Sequence, residues 1–256
     1  PLLLLLSGLL SACGPLERQD VPVSMSFRLD DAMHDSLVRA DLRRMQAFGI
    51  RHLMLELIVE PQEDSLVPKI NRTSLVNLSR LLDMKEVQAF ELSIMLNHAN
   101  FRPLFPSGDT LPPATTWFAH YRGELIDLME RLDGQPLRWF VIGARFSPFE
   151  EGHVTHWAQT KRMLARYTDA GIAYTALAER VPKADLWPVM DAIGVAYEAG
   201  PTANVKRDTR EWNYAINPVA KAHQLPVLIT HTNCIGKDKL LKFKNRLRFW
   251  DERVRV

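Results

Sequence analysis

Arg145 closes the apolar run Leu137-Arg138-Trp139-Phe140-Val141-Ile142-Gly143-Ala144, and Glu179, Glu198 and His231 each follow a similar run further along. Polar side chains at the ends of buried parallel strands collect at one edge of a sheet, where such proteins do their chemistry. Two carboxylates there would act as general acid and base, or as acid and nucleophile. Glu179 and Glu198 are the fallback pair; Glu56 lies inside an earlier run, and Glu150 and Glu151 sit past Arg145. Arg145 keeps its proton near neutrality, so it is neither a nucleophile nor a useful acid. His231 can transfer protons. Both suit anionic groups. His98, His231 and Glu198 are metal-ligating types without H-x-H or H-E-x-x-H spacing, so no metal and no other cofactor is expected. Ser147 and Cys234 lack a nucleophile elbow.

Cys13 carries a different chemistry. The chain opens Pro1-Leu2-Leu3-Leu4-Leu5-Leu6-Ser7-Gly8-Leu9-Leu10-Ser11-Ala12-Cys13. This run is too short to span a bilayer and reads as the apolar part of a secretory signal. Leu10-Ser11-Ala12-Cys13 resembles a bacterial lipobox, so residues 1–13 are expected to be a lipoprotein signal ending at a lipidated Cys13. Acyl chains there would hold a soluble domain at a membrane. Residues 14–21 would be the tether. Gly14 is not the Asp that retains some lipoproteins in inner membranes, so the expected location is the bacterial envelope, by default the outer membrane. With Cys13 lipidated, Cys234 has no partner and no disulfide is expected.

Net charge of +2 and 46% hydrophobic residues in 256 describe a chain able to bury one large core. Near-neutrality gives no argument for nucleic acid, and none is expected as partner. The segment from Gly236 onward, with eight Lys or Arg against three acids, reads as a solvated helix face.

The elements that would position these residues alternate. Strands are expected at Val23–Phe27, Ile50–Val59, Phe90–Leu96, Leu137–Ala144, Ile172–Ala178, Ala192–Tyr197, Leu225–Thr230 and Leu247–Trp250. Helices are expected at Asp35–Phe48, Ser74–Val87, Thr116–Leu132 and His153–Ala170, in a short stretch to about Met190, and at Glu211–His223 and Asp238–Asn245. Eight strands and seven helices fit a single α/β (β/α)8 TIM barrel over residues 22–256, its eighth helix short or absent. A doubly wound sheet is the rival, weakened by the lack of a glycine-rich turn after the first strand.

Several segments resemble glycoside hydrolase family 113, and more broadly the clan A glycosidases. Gly49-Ile50-Arg51-His52-Leu53-Met54-Leu55 is similar to its second strand, and Trp117-Phe118-Ala119-His120-Tyr121 to the start of its third helix. Phe140-Val141-Ile142-Gly143 is similar to the strand carrying the acid/base, and Pro226-Val227-Leu228-Ile229-Thr230 to the strand before the nucleophile. Leu186-Trp187-Pro188-Val189-Met190-Asp191-Ala192-Ile193-Gly194-Val195-Ala196-Tyr197 resembles its "W…LDYIGVNAY" segment and is the most specific match. The resemblance implies hydrolysis of β-mannan with retention, by Glu residues after strands four and seven. Here those two positions hold Arg145 and His231.

The reading that follows is a membrane-anchored, non-catalytic glycosidase-like barrel, a pseudoenzyme that binds a glycan or docks on a membrane protein complex. Arg145, His231, His98, Tyr197, Glu198 and Trp250 are the expected ligand-binding residues, Trp250 because the resembling family places an aromatic there against the sugar. Two alternatives stand beside it. One is an active hydrolase of β-mannan-like polysaccharide using relocated carboxylates at Glu179 and Glu198; the other is a pure protein scaffold. Trp117 and Trp212 could stack on sugars, but core packing is the plainer reading.

Overall fold

The computed structural model describes residues 24–29, 33–62, 65–98, 101, 111–132, 134–144, 147–197, 210 and 212–232. Cys13, the tether, Arg145, Glu198, Cys234 and the expected last helix and last strand, Trp250 included, lie outside these residues.

Among the described residues the strands are β1 (Ser24–Arg28), β2 (His52–Pro61), β3 (Pro68–Ile70), β4 (Glu91–Asn97), β5 (Leu137–Ala144), β6 (Gly171–Leu177), β7 (Ala192–Tyr197) and β8 (Val227–Thr232). The helices are α1 (Asp35–Ala47), α2 (Arg72–Leu82), α3 (Ala114–Leu132), α4 (Val154–Leu164) and α5 (Asn217–His223). Seven strands run parallel in the order β1-β2-β4-β5-β6-β7-β8, in one curled sheet. The short β3 folds back antiparallel on the end of β2. This is an α/β architecture of parallel strands and intervening helices; the strand expected to complete a full barrel falls beyond the described residues.

The alternation of side chains along each strand builds two apolar layers. Leu53, Leu55 and Leu57 of β2, Ile94 and Leu96 of β4, and Phe140 and Ile142 of β5 pack outward against the helices with Leu42, Leu78, Leu81, Leu125 and Leu128. Met54, Met95, Val141, Ala144, Ala173 and Ala192 make a second cluster on the opposite, inner face. Each Leu buried this way contributes about 1.5–3 kcal/mol. A strand buried on both faces reads as a continuous apolar run, which is why these strands stand out in the sequence.

The differences from the sequence reading have local causes. β3 was not anticipated: it is three residues long, follows Leu66 at φ 51°, and the carboxylate of Glu124 on α3 accepts its Ile70 N–H at 2.8 Å. α2 starts at Arg72 because Asn71 caps it, its side chain accepting the Ser74 N–H at 3.0 Å. The stretch expected to finish that helix is a separate 3-10 turn, Val87–Ala89. α4 stops at Leu164 rather than Ala170, and Thr168 Oγ1 accepts the Ala170 N–H at 3.1 Å in the turn beyond. Gly171 begins β6, and a Cβ there would run into the Trp139 ring. The helix expected near Met190 is a 3-10 turn, Trp187–Val189. Glu211–His223 is divided into a π-helical turn, Trp212–Ile216, and α5; Pro218 at the junction has no N–H to continue the regular ladder. No described helix is long and apolar enough to cross a membrane.

Candidate binding site at the mouth of the parallel sheet

The parallel register aligns the carboxyl ends of the strands. Arg28 pairs with Glu56, Ile58 with Asn97, Asn97 with Ala144, Ala144 with Thr175, Leu177 with Ala196, Ala196 with His231, and Tyr197 with Thr232. Ala144, the residue before Arg145, and His231 therefore stand at the same end of the sheet. The structure brings the backbones of Tyr197 and His231 to neighbouring strands there.

The inner face just above the apolar layer is polar. Glu56 shares the phase of Met54 along β2, and Asn97 that of Met95 along β4. Glu56 is 2% exposed and Asn97 3% exposed, and Asn97 Nδ2 donates to Glu56 Oε1 at 2.5 Å. Across the sheet, Thr175 Oγ1 donates to Thr230 Oγ1 at 3.1 Å, and Thr230 Oγ1 donates to the Val195 carbonyl at 3.3 Å. Those threonines sit on β6 and β8 and meet over Gly194 of β7. A Cβ on Gly194 would come within 2.7 Å of the Tyr174 carbonyl oxygen and collide with Thr175 Oγ1. A buried carboxylate held by an amide donor, opposite paired hydroxyls, can orient the hydroxyl groups of a polar ligand.

The other expected residues are placed differently. His98 is fully buried beyond the end of β4, its backbone N–H donating to the Ala144 carbonyl at 3.2 Å. Its ring lies 5.4 Å from Tyr121, 6.0 Å from Trp117 and 6.1 Å from Phe101. Burial drives its pKa down to about 3 against a weak opposing pull from the Leu96 backbone, so the ring is neutral. His98 is thus enclosed by aromatic side chains rather than exposed to a ligand. Tyr121 donates its hydroxyl to the Ile142 carbonyl, and burial raises its pKa well above the usual tyrosine value. Trp117 and Trp212 are core residues.

Of the carboxylates, Glu179 is exposed in the turn after β6. Glu150 is 1% exposed and takes hydrogen bonds from Tyr174 Oη and Arg180 Nε, both at 3.2 Å. Burial raises its pKa, against the opposing pull of Arg180 and Tyr174. Arg180 Nη2 also reaches Glu151 at 2.9 Å, so Glu150 and Glu151 are engaged in a structural clamp. Among the described residues no group of three or more His, Cys, Asp or Glu could hold a metal ion.

The sequence reading missed Asn97, Thr175 and Thr230 as members of the site. Their signal was a polar residue in phase with the inner apolar positions of a buried run, as in Ala173-Tyr174-Thr175-Ala176.

No protein-family model and no curated protein matches this sequence. Its fold does match solved structures. A GH113 β-1,4-mannanase aligns with TM-score 0.64 and 14% identity over 80% of this chain and 69% of that one. The GH113 β-mannanase of Alicyclobacillus acidocaldarius aligns with TM-score 0.64 and 13% identity over 90% and 82%. A β-glucuronidase of Ruminococcus gnavus aligns with TM-score 0.65 and 8% identity over 90% of this chain but 41% of that one. At such identities the likeness establishes the fold: this chain has a glycoside-hydrolase-like architecture similar to that of the GH113 β-mannanases.

Proposed function

We propose that this chain is a glycosidase-like barrel that binds a glycan without cleaving it, anchored in the bacterial envelope, by default in the outer membrane, through a lipidated Cys13. A membrane protein complex is the other partner this reading allows. The observation that carries the reading is the register of β5 and β8. Through β6 and β7 it puts the strand ends preceding Arg145 and containing His231 at one end of the sheet; the family resemblance implies that a retaining enzyme carries its two carboxyls, about 5–5.5 Å apart, at those two positions. Arg145, His231, Tyr197, Glu198 and Trp250 would line the mouth with Glu56, Asn97, Thr175 and Thr230. His98 would support them from behind.

The test is incubation of the full chain with β-1,4-manno-oligosaccharides, followed by mass analysis of products and by calorimetry. Saturable binding without cleavage, weakened by Arg145→Ala, is expected. Turnover that disappears in Glu179→Gln, Glu198→Gln or Glu56→Gln would replace this reading with an active hydrolase. Neither binding nor turnover, with a membrane protein copurifying, would make the chain a scaffold.

A further inference from the structure

The outer surface between α3 and α4 carries a group of basic side chains that the mouth of the sheet does not use. His153 precedes α4 and its side chain makes no capping hydrogen bond. His156, in the first turn, stacks on Phe118 of α3 with ring centroids 4.8 Å apart and planes 8° from parallel. The His153 ring lies 6.1 Å from that of His156 and 4.8 Å from Phe149. Arg122 follows Phe118 by one helical turn, which brings it beside the same histidine. Burial first, then the charges of His153 and Arg122, makes His156 a weaker base.

These groups are unbalanced. Arg122 Nη1 and His156 Nδ1 are buried and have no hydrogen-bond partner. Among the described residues, none of the three side chains is paired with a carboxylate. Elsewhere in the chain Arg39 is met by Glu86, Arg138 by Glu91 and Arg180 by Glu150. A guanidinium with a desolvated amino group and no counter-charge is costly unless something anionic completes it. The first N–H groups of α4 open toward the same end, and the helix adds positive potential there.

We propose that Arg122, His153 and His156, with the N-terminus of α4, form an oxyanion site for a phosphate group, brought either as free phosphate or as a lipid headgroup. A guanidinium fork grips two phosphate oxygens, and the two imidazoles and the helix N–H groups serve the others.

The experiment uses the full chain with 15N-labelled histidine. Its imidazole resonances are followed while inorganic phosphate is added at constant ionic strength, with chloride as control. A parallel titration uses dihexanoyl phosphatidic acid below its micellar concentration. Saturable shifts of His153 and His156, absent with chloride, are expected. Arg122→Gln and His153→Gln should each weaken binding about tenfold while leaving the circular dichroism spectrum unchanged. Tighter saturation by the lipid identifies a headgroup site, and tighter saturation by inorganic phosphate a free-phosphate site. Absence of saturation with both, or saturation unaltered in both variants, overturns the proposal.

Discussion

Asn97 of β4 donates to Glu56 of β2 across 2.5 Å, and both side chains are buried on the inner face of the sheet. The bond fixes a carboxylate in place before any ligand arrives, so the site is partly pre-organised. Replacing Asn97 by Leu withdraws that donor from a buried acid. The expected loss is about 1–3 kcal/mol of stability at pH 7, read as a lower urea midpoint. Adding Glu56→Gln should recover part of it, because the neutral amide tolerates burial better. An unchanged midpoint for Asn97→Leu would show that the bond does not matter to folding.

Gly143 lies under the Tyr174 ring: a Cβ there would come within 2.5 Å of Tyr174 Cε2 and 3.5 Å of Trp157 Cη2. Gly143→Ala should cost about 1–3 kcal/mol through overpacking. Tyr174→Leu in the same chain should relieve part of the clash. Thermal denaturation of the single and double variants separates this from a general intolerance of substitution in β5.

His98 gives the fold an acid sensitivity. Its pKa is about 3 in the folded chain against an ordinary 6.5, so the unfolded chain takes up the proton first. The stability it contributes is complete above pH 6.5 and is lost as pH falls toward 3. Between pH 7 and pH 4.5 the loss is on the order of 2–3 kcal/mol. The urea midpoint of the wild type should therefore fall further over that interval than that of His98→Phe. Equal falls would mean that the ring accepts a proton without unfolding.

Glu150 and Arg180 should show a pH-dependent coupling. Arg180→Met leaves a carboxylate that is 1% exposed without its cation, and about 1–3 kcal/mol should be lost at neutral pH. Because the Glu150 pKa is raised, acidification through the carboxylate range protonates it and removes the need for a counter-charge. The gap between wild type and variant should narrow as pH falls. A gap that widens would contradict the clamp.

Much of the scaffold was legible because burial on both faces leaves an apolar run. β5 and β7 occupy the stretches Leu137–Ala144 and Ala192–Tyr197 that their composition marks. The helices expected over Asp35–Phe48 and Ser74–Val87 were legible because one face alone is buried, through Leu42 and through Leu78 and Leu81. What escaped depends on contacts distant in the chain. β3 is satisfied in part by Glu124, 54 residues away, and no local pattern announces it. Asn97 becomes part of a site only because Glu56, 41 residues earlier, faces it. His98 looked like a ligand by residue type, yet Phe101, Trp117 and Tyr121 surround it. The missing counter-charge at Arg122, His153 and His156 is visible only in three dimensions.

The order of the parallel strands is the order of the chain, β1-β2-β4-β5-β6-β7-β8. A polypeptide leaving the ribosome would add each new strand to the edge formed by the strand just before it. No parallel pairing between described strands has to wait for a distant segment to be synthesised. The sheet can lengthen sideways as translation proceeds, with the newest edge briefly unprotected until the next strand covers it.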